Sequence, residues 1–480
     1  MGQDVERERF ERRDFERFAR RLRAETEALH ALEEAGALSD HAPVVGLELE
    51  AWLIDAAGRP APRNDEFLAA LGRPEVVTEL GRFNVELNVP PRPAAGDGLA
   101  LLAADLTRLW RRCMATAELL GLRLVAVGIL PSLTDGDLSL ANLSARARYR
   151  ALNEQVLRQR HGRPVRIAID GPHGEQLTST HHDVMLEAAA TSFQAHLQLP
   201  AAQSVRGYNA ALLASAPALA VAVNSPLLFG RRLWQETRIP LFEQALGVAT
   251  REDGHHAPIA RVGFGSGYAG WSLVEPFREN LERFEPLLPL TLDEPAGRLP
   301  HLRLHNGTIW RWNRPLVGFD DDGRVHLRLE HRPLPAGPTL VDAMANLAFA
   351  VGLITALSAL DEPPERQLPF DLARANFYAA ARDGLAAAFA GRPPLAGPAH
   401  AVVLGLLPLA ADGLAQLGVT RALADTWLAL IEARAASGRT GADWQLRALD
   451  TVGGDLARLT LAYAARQAEG APVHRWSAPR

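Results

Sequence analysis

The sequence predicts an α+β fold in which a curved antiparallel sheet forms a cradle, with helices covering the sheet and a helical C-terminal part. Five segments between residues 45 and 332 alternate apolar and polar residues, which is the period of a β-strand with two different faces. A charged amphipathic helix is predicted at residues 4 to 36. From about residue 340 to 467 the pattern is almost wholly helical and rich in alanine and leucine.

These patterns divide the chain of 480 residues into three parts. Residues 1–40 form an N-terminal helix, and residues 41–339 form the α+β body with its antiparallel sheet. Residues 340–480 form a mostly helical part that is expected to pack on the body. Proline pairs at 363–364 and 393–394 interrupt this last part, because proline ends helices.

Composition and charge restrict the class of protein. Hydrophobic residues make up 48% of the chain and charged residues 22%, as in a globular protein with a sizeable core. The net charge of -5 provides no basic field for nucleic acid or anionic lipid, so neither is expected as a partner. All 51 basic residues are arginine, which excludes a P-loop lysine and a Schiff-base lysine.

The single cysteine, Cys113, excludes an internal disulfide and a cysteine-based zinc cluster. It lies in an apolar-periodic helix predicted at residues 99 to 121, where a core position is expected. The N-terminus mixes both charge signs, and the apolar stretch at residues 210 to 223 is too short to cross a bilayer. We therefore expect a cytoplasmic protein without an export signal or a membrane span.

The polar residues of the five predicted strands are unusual for a solvated sheet face. For any one strand a wet face explains the alternation, but such a face favours threonine and other β-branched residues. Five strands that carry glutamate, amide, histidine and arginine side chains instead predict a shared inner face. These residues are Glu48 and Glu50; Asn84, Glu86 and Asn88; Gln194, His196 and Gln198; His301, Arg303 and His305; and His326, Arg328, Glu330 and Arg332.

Carboxylate and amide oxygens, with few histidines and no thiolate, suit Mg²⁺ or Mn²⁺ better than Zn²⁺. If Glu86 and Glu330 lie close together, a cation is needed to offset their repulsion, and the size of the glutamate set suggests more than one ion. Arg303, Arg311 and Arg328, like Arg332 on the last strand, can grip phosphate or carboxylate groups. The residues alone thus predict a metal-dependent site for phosphoryl transfer that has no P-loop.

Other motifs have simpler interpretations. The glycines at 265–270 match a dinucleotide-binding pattern, but no strand–helix–strand unit surrounds them, so a loop near the ligand entrance is expected. Trp310 and Trp312 could stack on adenine or anchor the sheet edge. The histidine pairs at 181–182 and 255–256 are interpreted as loop residues.

Seven segments in chain order carry a further signal. They are GLELEAWLID at 46–55, ELGRFNVELNVPP at 79–91, TSFQAHLQL at 191–199, NSPLLFG at 224–230, WQETRI at 234–239, GTIWRWNRP at 307–315 and LRLEHRPLPAGPT at 327–339. Together these segments resemble the glutamate-cysteine ligase family, type 2, which includes bacterial carboxylate-amine ligases. The resemblance extends from about residue 40 to 390 and implies a glutamine-synthetase-like fold, in which an antiparallel sheet cradles ATP, metals and an amino acid.

The resemblance implies that ATP drives the joining of a carboxylate to an amine through an acyl phosphate. Its default substrates are glutamate and cysteine, which would place the chain in glutathione biosynthesis. The implied metal ligands are Glu48, Glu50, Glu86, Glu330, Glu79, His196 and Gln198. The implied catalytic residues are Arg332 for the transferred phosphate, Arg238 for the substrate carboxylate, and Arg303; those for the nucleotide are Trp310, Arg311 and Arg328.

Two other functions remain open at this stage. The same cradle would serve a phosphotransferase that acts on a guanidine or an amine, or a catalytically silent protein that binds a small molecule. The glutamate set argues against the silent protein, because buried like charges without a counter-ion cost stability. ATP and small amino acids are the expected partners, and the oligomeric state is open, a homo-oligomer included.

Overall fold

The computed structural model describes residues 10–247 and 259–479. The predicted N-terminal helix is present as Arg12–Glu34, whereas its expected first turns at residues 4–9 lie outside the described residues. The histidine pair at 255–256 also lies outside them.

The described residues form helices that enclose the sheet and build the C-terminal part. They are α1 Arg12–Glu34, α2 Asn64–Leu71, α3 Gly98–Leu119, α4 Ala147–Gln159, α5 Ser204–Ala222, α6 Arg238–Ala245, α7 Glu275–Arg283, α8 Pro300–Asn306, α9 Leu340–Ala359, α10 Pro364–Gln367, α11 Phe370–Asp383, α12 Ala399–Gln416, α13 Arg421–Ser437, α14 Gly441–Thr451 and α15 Leu456–Glu469.

The strands of the described residues belong to one large sheet and several short pairs. They are β1 Val44–Ile54, β2 Val76–Thr78, β3 Asn84–Pro93, β4 Arg123–Val125, β5 Val165–Asp170, β6 Gln176–His181, β7 Phe193–Gln198, β8 Leu227–Leu228, β9 Arg231–Arg232, β10 Val262–Gly263, β11 Trp310–Arg311, β12 Asn313–Phe319, β13 Val325–His331, β14 Ala388–Phe389 and β15 Gly397–Pro398.

The large sheet is antiparallel throughout and has the order β12-β13-β7-β1-β3-β2, with β4 paired to the end of β1. Its register sets the positions of the polar residues. Glu50 on β1 lies opposite Glu86 on β3, and Glu48 lies opposite Gln194 on β7. The next pairing places Glu330 on β13 opposite His196 on β7 and so brings the acidic residues of three strands together.

The apolar face of the same strands forms the core. Val45, Leu47 and Leu49 alternate with the glutamates of β1 and are buried. The sheet contacts α3 and α5, and one hydrophobic cluster extends from Phe10 to Trp476. Cys113 on α3 is part of this cluster, as expected, and burial raises the pKa of its thiol to about 12. The period of two therefore separates the core from the polar cradle.

The prediction of a strand at residues 301–305 is wrong, since these residues form helix α8. Pro300 begins this helix, a position at which its fixed φ and missing N–H are tolerated. His301 and His305 share one helical face and are buried: His301 Nδ1 lies 2.6 Å from Glu25 Oε1 on α1, and His305 Nε2 lies 2.9 Å from the Asn280 carbonyl oxygen. Both histidines thus dock helices rather than face the cradle.

The helical C-terminal part is confirmed, with α9 beginning at Leu340 and breaks where the proline pairs occur. The Thr339 hydroxyl caps α9 by accepting from the Asp342 N–H at 3.1 Å. Residues before and after this point share the hydrophobic cluster. The three-part division at 40 and 339 stays a prediction.

Two helices in the described residues are long and apolar enough to cross a membrane by length and composition alone, namely Leu340–Ala359 and Ala399–Gln416. They pack against each other, and 89% of the apolar window of the first is buried inside the protein. That burial is typical of a core helix.

Candidate active site

The polar face of the sheet lines a cavity of about 490 Å³, a size typical of small-molecule sites. Its wall also includes the first turn of α4, part of α6 and one side of α8. The sequence-predicted residues that line it are Glu48, Glu50, Glu79, Asn84, Glu86, Gln194, His196, Arg238, Arg303, Trp310, Arg328, Glu330 and Arg332.

The first acid cluster comprises Glu48, His196 and Glu330, whose possible ligand atoms all lie within 4.8 Å of one another. His196 Nε2 is 3.4 Å from Glu48 Oε1. Arg314 on β12 grips Glu330 with both arms of its guanidinium, Nε donating to Oε2 at 2.7 Å and Nη2 donating to Oε1 at 3.0 Å. Basic side chains therefore surround the carboxylates of this cluster.

These basic groups decide the charge of the first acid cluster. Burial alone would raise the pKa of Glu48, but the charge and hydrogen bond of His196, with a smaller contribution from another positive charge, lower it to about 2. Burial likewise opposes ionisation of Glu330, and Arg314 and Arg332 together lower its pKa well below the usual range. Both carboxylates are ionised at neutral pH.

The second acid cluster comprises Glu50, Glu79 and Glu86, again with possible ligand atoms within 4.8 Å of one another. Glu50 accepts from the Ser192 backbone N–H at 2.7 Å and the Ser192 hydroxyl at 2.9 Å. Glu86 accepts from Asn88 Nδ2 at 2.7 Å. Neutral donors thus hold two carboxylates of this cluster in place.

The second acid cluster is short of positive charge. Burial raises the pKa of Glu50 to about 7, against the pull of Arg332, and repulsion from Glu86 adds to the effect. Burial and the charges of Glu86 and Glu50 raise the pKa of Glu79 well above its usual value. Burial and Glu48 raise the pKa of Glu86. A divalent cation would relieve this repulsion.

Arg332 and Gln194 connect the two clusters. Arg332 Nη1 donates to Glu330 Oε2 at 3.1 Å and to Gln194 Oε1 at 2.6 Å. Gln194 Nε2 then donates to Glu50 Oε1 at 2.9 Å. One hydrogen-bonded chain therefore runs from the first acid cluster to the second across β13, β7 and β1.

Arg238, at the start of α6, is built rigidly into the cavity wall. Its Nε donates to Glu236 Oε1 at 3.0 Å, and its guanidinium carbon lies 5.3 Å from the ring centre of Trp312. Arg303 on α8 is more exposed, 3.6 Å from Glu294 Oε2. Arg328 donates from Nε to His196 Nδ1 at 3.4 Å and so lies beside the first acid cluster.

Two of the sequence-predicted site residues do not line the cavity. Gln198 donates to Asp320 Oδ1 at 3.0 Å, further along β7 than the acid clusters. Arg311 is buried and donates to Asn280 Oδ1 at 3.0 Å and to Glu279. Of the tryptophan pair, Trp310 lines the cavity and Trp312 is a core residue.

Sequence reasoning missed several residues of the cavity wall. Arg314 follows the Trp-Arg-Trp segment, but its pairing with Glu330 depends on a strand register that one sequence does not provide. Arg146 and Arg148 occur in the arginine-rich run at 145–150, which offered a basic signal at the start of α4. Glu187, in a turn before β7, carried no pattern that sequence reasoning could use.

The donor sets of both clusters fit hard divalent cations. The first offers two carboxylates and an imidazole, and the second offers three carboxylates. Mg²⁺ and Mn²⁺ accept such oxygen-rich sets, and no cysteine takes part. In the second cluster burial and carboxylate repulsion raise the pKa values of Glu50 and Glu79 despite the charges of Arg332 and Arg148, so a bound cation would offset that repulsion.

The fold is similar to that of a glutamate–cysteine ligase from Francisella tularensis in complex with AMP. The TM-score is 0.56 at 10% sequence identity, and the match covers 92% of this chain and 91% of that one. A bifunctional glutathione synthetase from Pasteurella multocida gives a TM-score of 0.46 at 14% identity, covering 88% of this chain and 52% of that one. A comparison with curated proteins gave no match.

The described residues have the predicted α+β fold, in which a curved antiparallel sheet covered by helices forms a cavity, and they share this fold with that glutamate–cysteine ligase. The chain belongs to Glutamate-cysteine ligase family 2 (GCS2), whose profile matches residues 44–462. It is therefore an ATP-dependent ligase that joins a carboxylate to an amine.

Proposed function

We propose that this ligase joins the γ-carboxyl of glutamate to the amine of cysteine, with ATP as the energy source and Mg²⁺ or Mn²⁺ as the metal. Family membership supports the reaction class, and the similar Francisella protein is named a glutamate–cysteine ligase and holds AMP. A cytoplasmic location and a role in glutathione biosynthesis belong to the same proposal.

The proposed reaction has two bond-forming steps. An oxygen of the substrate carboxylate attacks the γ-phosphorus of ATP, the bond to the β,γ-bridging oxygen breaks, and an acyl phosphate and ADP result. The amine then attacks the acyl carbon, inorganic phosphate leaves, and the amine proton passes to solvent. Such chemistry needs positioning and charge stabilisation more than a protein nucleophile.

The chain's own residues divide these tasks. The two acid clusters would hold the divalent cations, which neutralise charge on the triphosphate when bound. Arg332 lies between the clusters and would stabilise the transferred phosphoryl oxygens. Arg238, fixed by Glu236 at the cavity wall, would offer its charge to the substrate carboxylate.

The nucleotide is assigned to the part of the cavity formed by α8, β11 and β12. Trp310 and Leu316 offer it an apolar wall, and Arg303 and Arg328 offer positive charge. Arg311 takes no part in this assignment, because it does not line the cavity and its guanidinium donates to Asn280 and Glu279.

The observation that carries the proposal is the pairing of two acid clusters in one cavity, joined through Arg332 and Gln194. A silent binding protein would not need two groups of buried carboxylates with ligand-like spacing, since their repulsion costs stability.

The test is ADP release with Mg²⁺ over a grid of carboxylates and amines, beginning with glutamate and cysteine. We expect ADP and phosphate only when both an acid and an amine are present. ADP release that needs only an amine or guanidine would show a phosphotransferase instead. No release with any pair would reject the proposed substrates.

A further inference from the structure

We infer that Glu187 forms an ammonium-binding subsite in the cavity, which takes the primary ammonium group of an amino-acid or amine substrate. The identity of the ligand rests on the proposed function, because that reaction brings two ammonium-bearing molecules into the cavity. Nothing in the family match or the structural likeness assigns a role to this residue.

The local structure directs Glu187 to the cavity. It lies in a short 3₁₀ turn, Met185–Ala189, whose other residues are all buried. The Met185 N–H donates to Asp183 Oδ1 at 3.0 Å, which fixes the start of the turn. Glu187 is the one member of the turn that is not fully buried, and it lines the cavity together with Ala188.

The Glu187 carboxylate has an unsatisfied oxygen. Its Oε2 is shielded from solvent and has no hydrogen-bond partner among residues 10–247 and 259–479. A buried carboxylate oxygen without a donor is costly, so a donor from a bound ligand is expected. Glu187 belongs to neither acid cluster, and a single carboxylate does not make a cation site of the kind that Mg²⁺ prefers.

The surroundings favour an ammonium group over other donors. Arg332 and Arg148 are positive charges that act on Glu187. Arg332 Nη1 donates to Gln194 and Arg148 Nη2 donates to the Tyr149 hydroxyl at 2.7 Å, and neither guanidinium donates to Glu187 Oε2. An ammonium group brings three donors and a full positive charge in a small volume. Phosphate or a second carboxylate would be repelled.

Two ligand groups share this chemistry: the α-ammonium of the acid substrate and the ammonium of the amine substrate. Titration calorimetry distinguishes them with two pairs of compounds, glutamate against glutarate and cysteine against 3-mercaptopropionate. Full-length protein is titrated in the presence of Mg²⁺ and a non-hydrolysable ATP analogue. The variants are Glu187→Gln, which removes the charge, and Asp183→Asn, which removes a charge from the same segment outside the cavity wall.

We expect Glu187→Gln to weaken binding of the ammonium-bearing member of one pair by about tenfold or more, and to leave its deaminated partner unchanged. The pair that responds identifies the source of the ammonium group. Asp183→Asn should bind like the wild type, since an asparagine oxygen still accepts from Met185.

Equal affinity of Glu187→Gln and wild type for all four compounds would overturn the inference, as would an equal loss within both pairs. Binding of none of them by the wild type would also overturn it. The proposed function can fail while this inference holds. That result would be a loss of discrimination within one pair in Glu187→Gln, together with no ADP release by the wild type for any combination of acid and amine.

Discussion

The two acid clusters show how the same residue type behaves differently in two parts of one cavity. Both place possible ligand atoms within 4.8 Å of one another. In the first, His196, Arg314 and Arg332 lower the pKa values of Glu48 and Glu330. In the second, burial raises the pKa values of all three glutamates, and repulsion from neighbouring carboxylates, including Glu48 of the first cluster, adds to the effect.

This difference shows that spacing alone does not make two sites equivalent. The protein itself compensates the charge of the first acid cluster, whereas the second depends on positive charge from outside. Removing a carboxylate from the first cluster should therefore lower the free energy of unfolding, and removing one from the second should raise it. Opposite signs of these two changes in free energy are the sharpest test of the comparison.

The largest effect is expected for Glu330→Gln. The variant leaves Arg314 and Arg332 buried without their carboxylate, so the free energy of unfolding should fall by about 3 kcal/mol or more, and ADP release should be lost. Urea unfolding measures the free energy of unfolding, and the ADP-release assay measures turnover. Glu66→Gln is the control, because Glu66 pairs with Arg63 in a similar two-armed geometry on the exposed surface, where little change is expected. Equal stability of Glu330→Gln and wild type would contradict internal compensation.

For Glu50→Gln in metal-free protein we expect the free energy of unfolding to increase, in contrast to Glu330→Gln. The pKa of Glu50 rises from its ordinary 4.5 to about 7 on folding, so the folded state binds the extra proton between these pH values. Its contribution to the free energy of unfolding therefore falls as pH rises through this window. Near pH 7 the variant should be more stable than wild type by on the order of 1 kcal/mol, and turnover should be lost.

The measurement for Glu50 is the difference between wild type and variant in urea unfolding with a chelator, across that pH window. A difference is needed because burial lowers the pKa values of His305 and His331, which act in the opposite direction. Added Mg²⁺ should stabilise wild type and reduce the advantage of the variant. A variant that is less stable than wild type at every pH would show that the second acid cluster is not strained.

The link between the clusters is tested by Gln194→Leu. This change removes the donor to Glu50 and the acceptor for Arg332, so turnover should fall by about tenfold or more. Gln198→Leu is the matched control on the same face of β7, where the side chain contacts Asp320 outside the cavity. Turnover near that of the wild type in Gln194→Leu, or a loss in Gln198→Leu of the same size, would reject the link.

Alternation along the strands was enough to predict most of the cradle. Glu48, Glu86, His196 and Glu330 face one cavity because a strand with a buried apolar face has no other place for its polar residues. The same rule placed Gln198 on the correct face but not at the correct distance, since position along a curved sheet depends on strand pairing.

The failures have equally specific causes. A run of five residues at 301–305 fits a strand and a helix alike, and the buried pair of Glu25 and His301 decides in favour of the helix. Arg314 was missed because its pairing with Glu330 depends on a strand register, and Glu187 because its turn carries no pattern that places it at the cavity. Charge compensation in the first acid cluster likewise depends on the register between β12 and β13, which places Arg314 opposite Glu330.

The smallest effect is expected for Gly318→Ala on β12, opposite His326 on β13. An added Cβ would lie 2.2 Å from His326 Nε2 and 2.6 Å from Arg328 Nη1. Both are ends of side chains that can rotate away, so the loss of stability should be below about 1.5 kcal/mol. Displacement of Arg328 should raise the KM for ATP by less than about tenfold.

Gly263→Ala is the matched control for Gly318→Ala, because Gly263 also lies in a strand and an added Cβ there meets nothing within 4 Å. Steady-state kinetics and urea unfolding of both variants separate a local effect on nucleotide binding from a general effect of alanine. An unchanged KM for ATP in Gly318→Ala would remove Arg328 from the nucleotide site. The role of Arg328 would then be limited to the first acid cluster, where its Nε donates to His196 Nδ1 in the wild type.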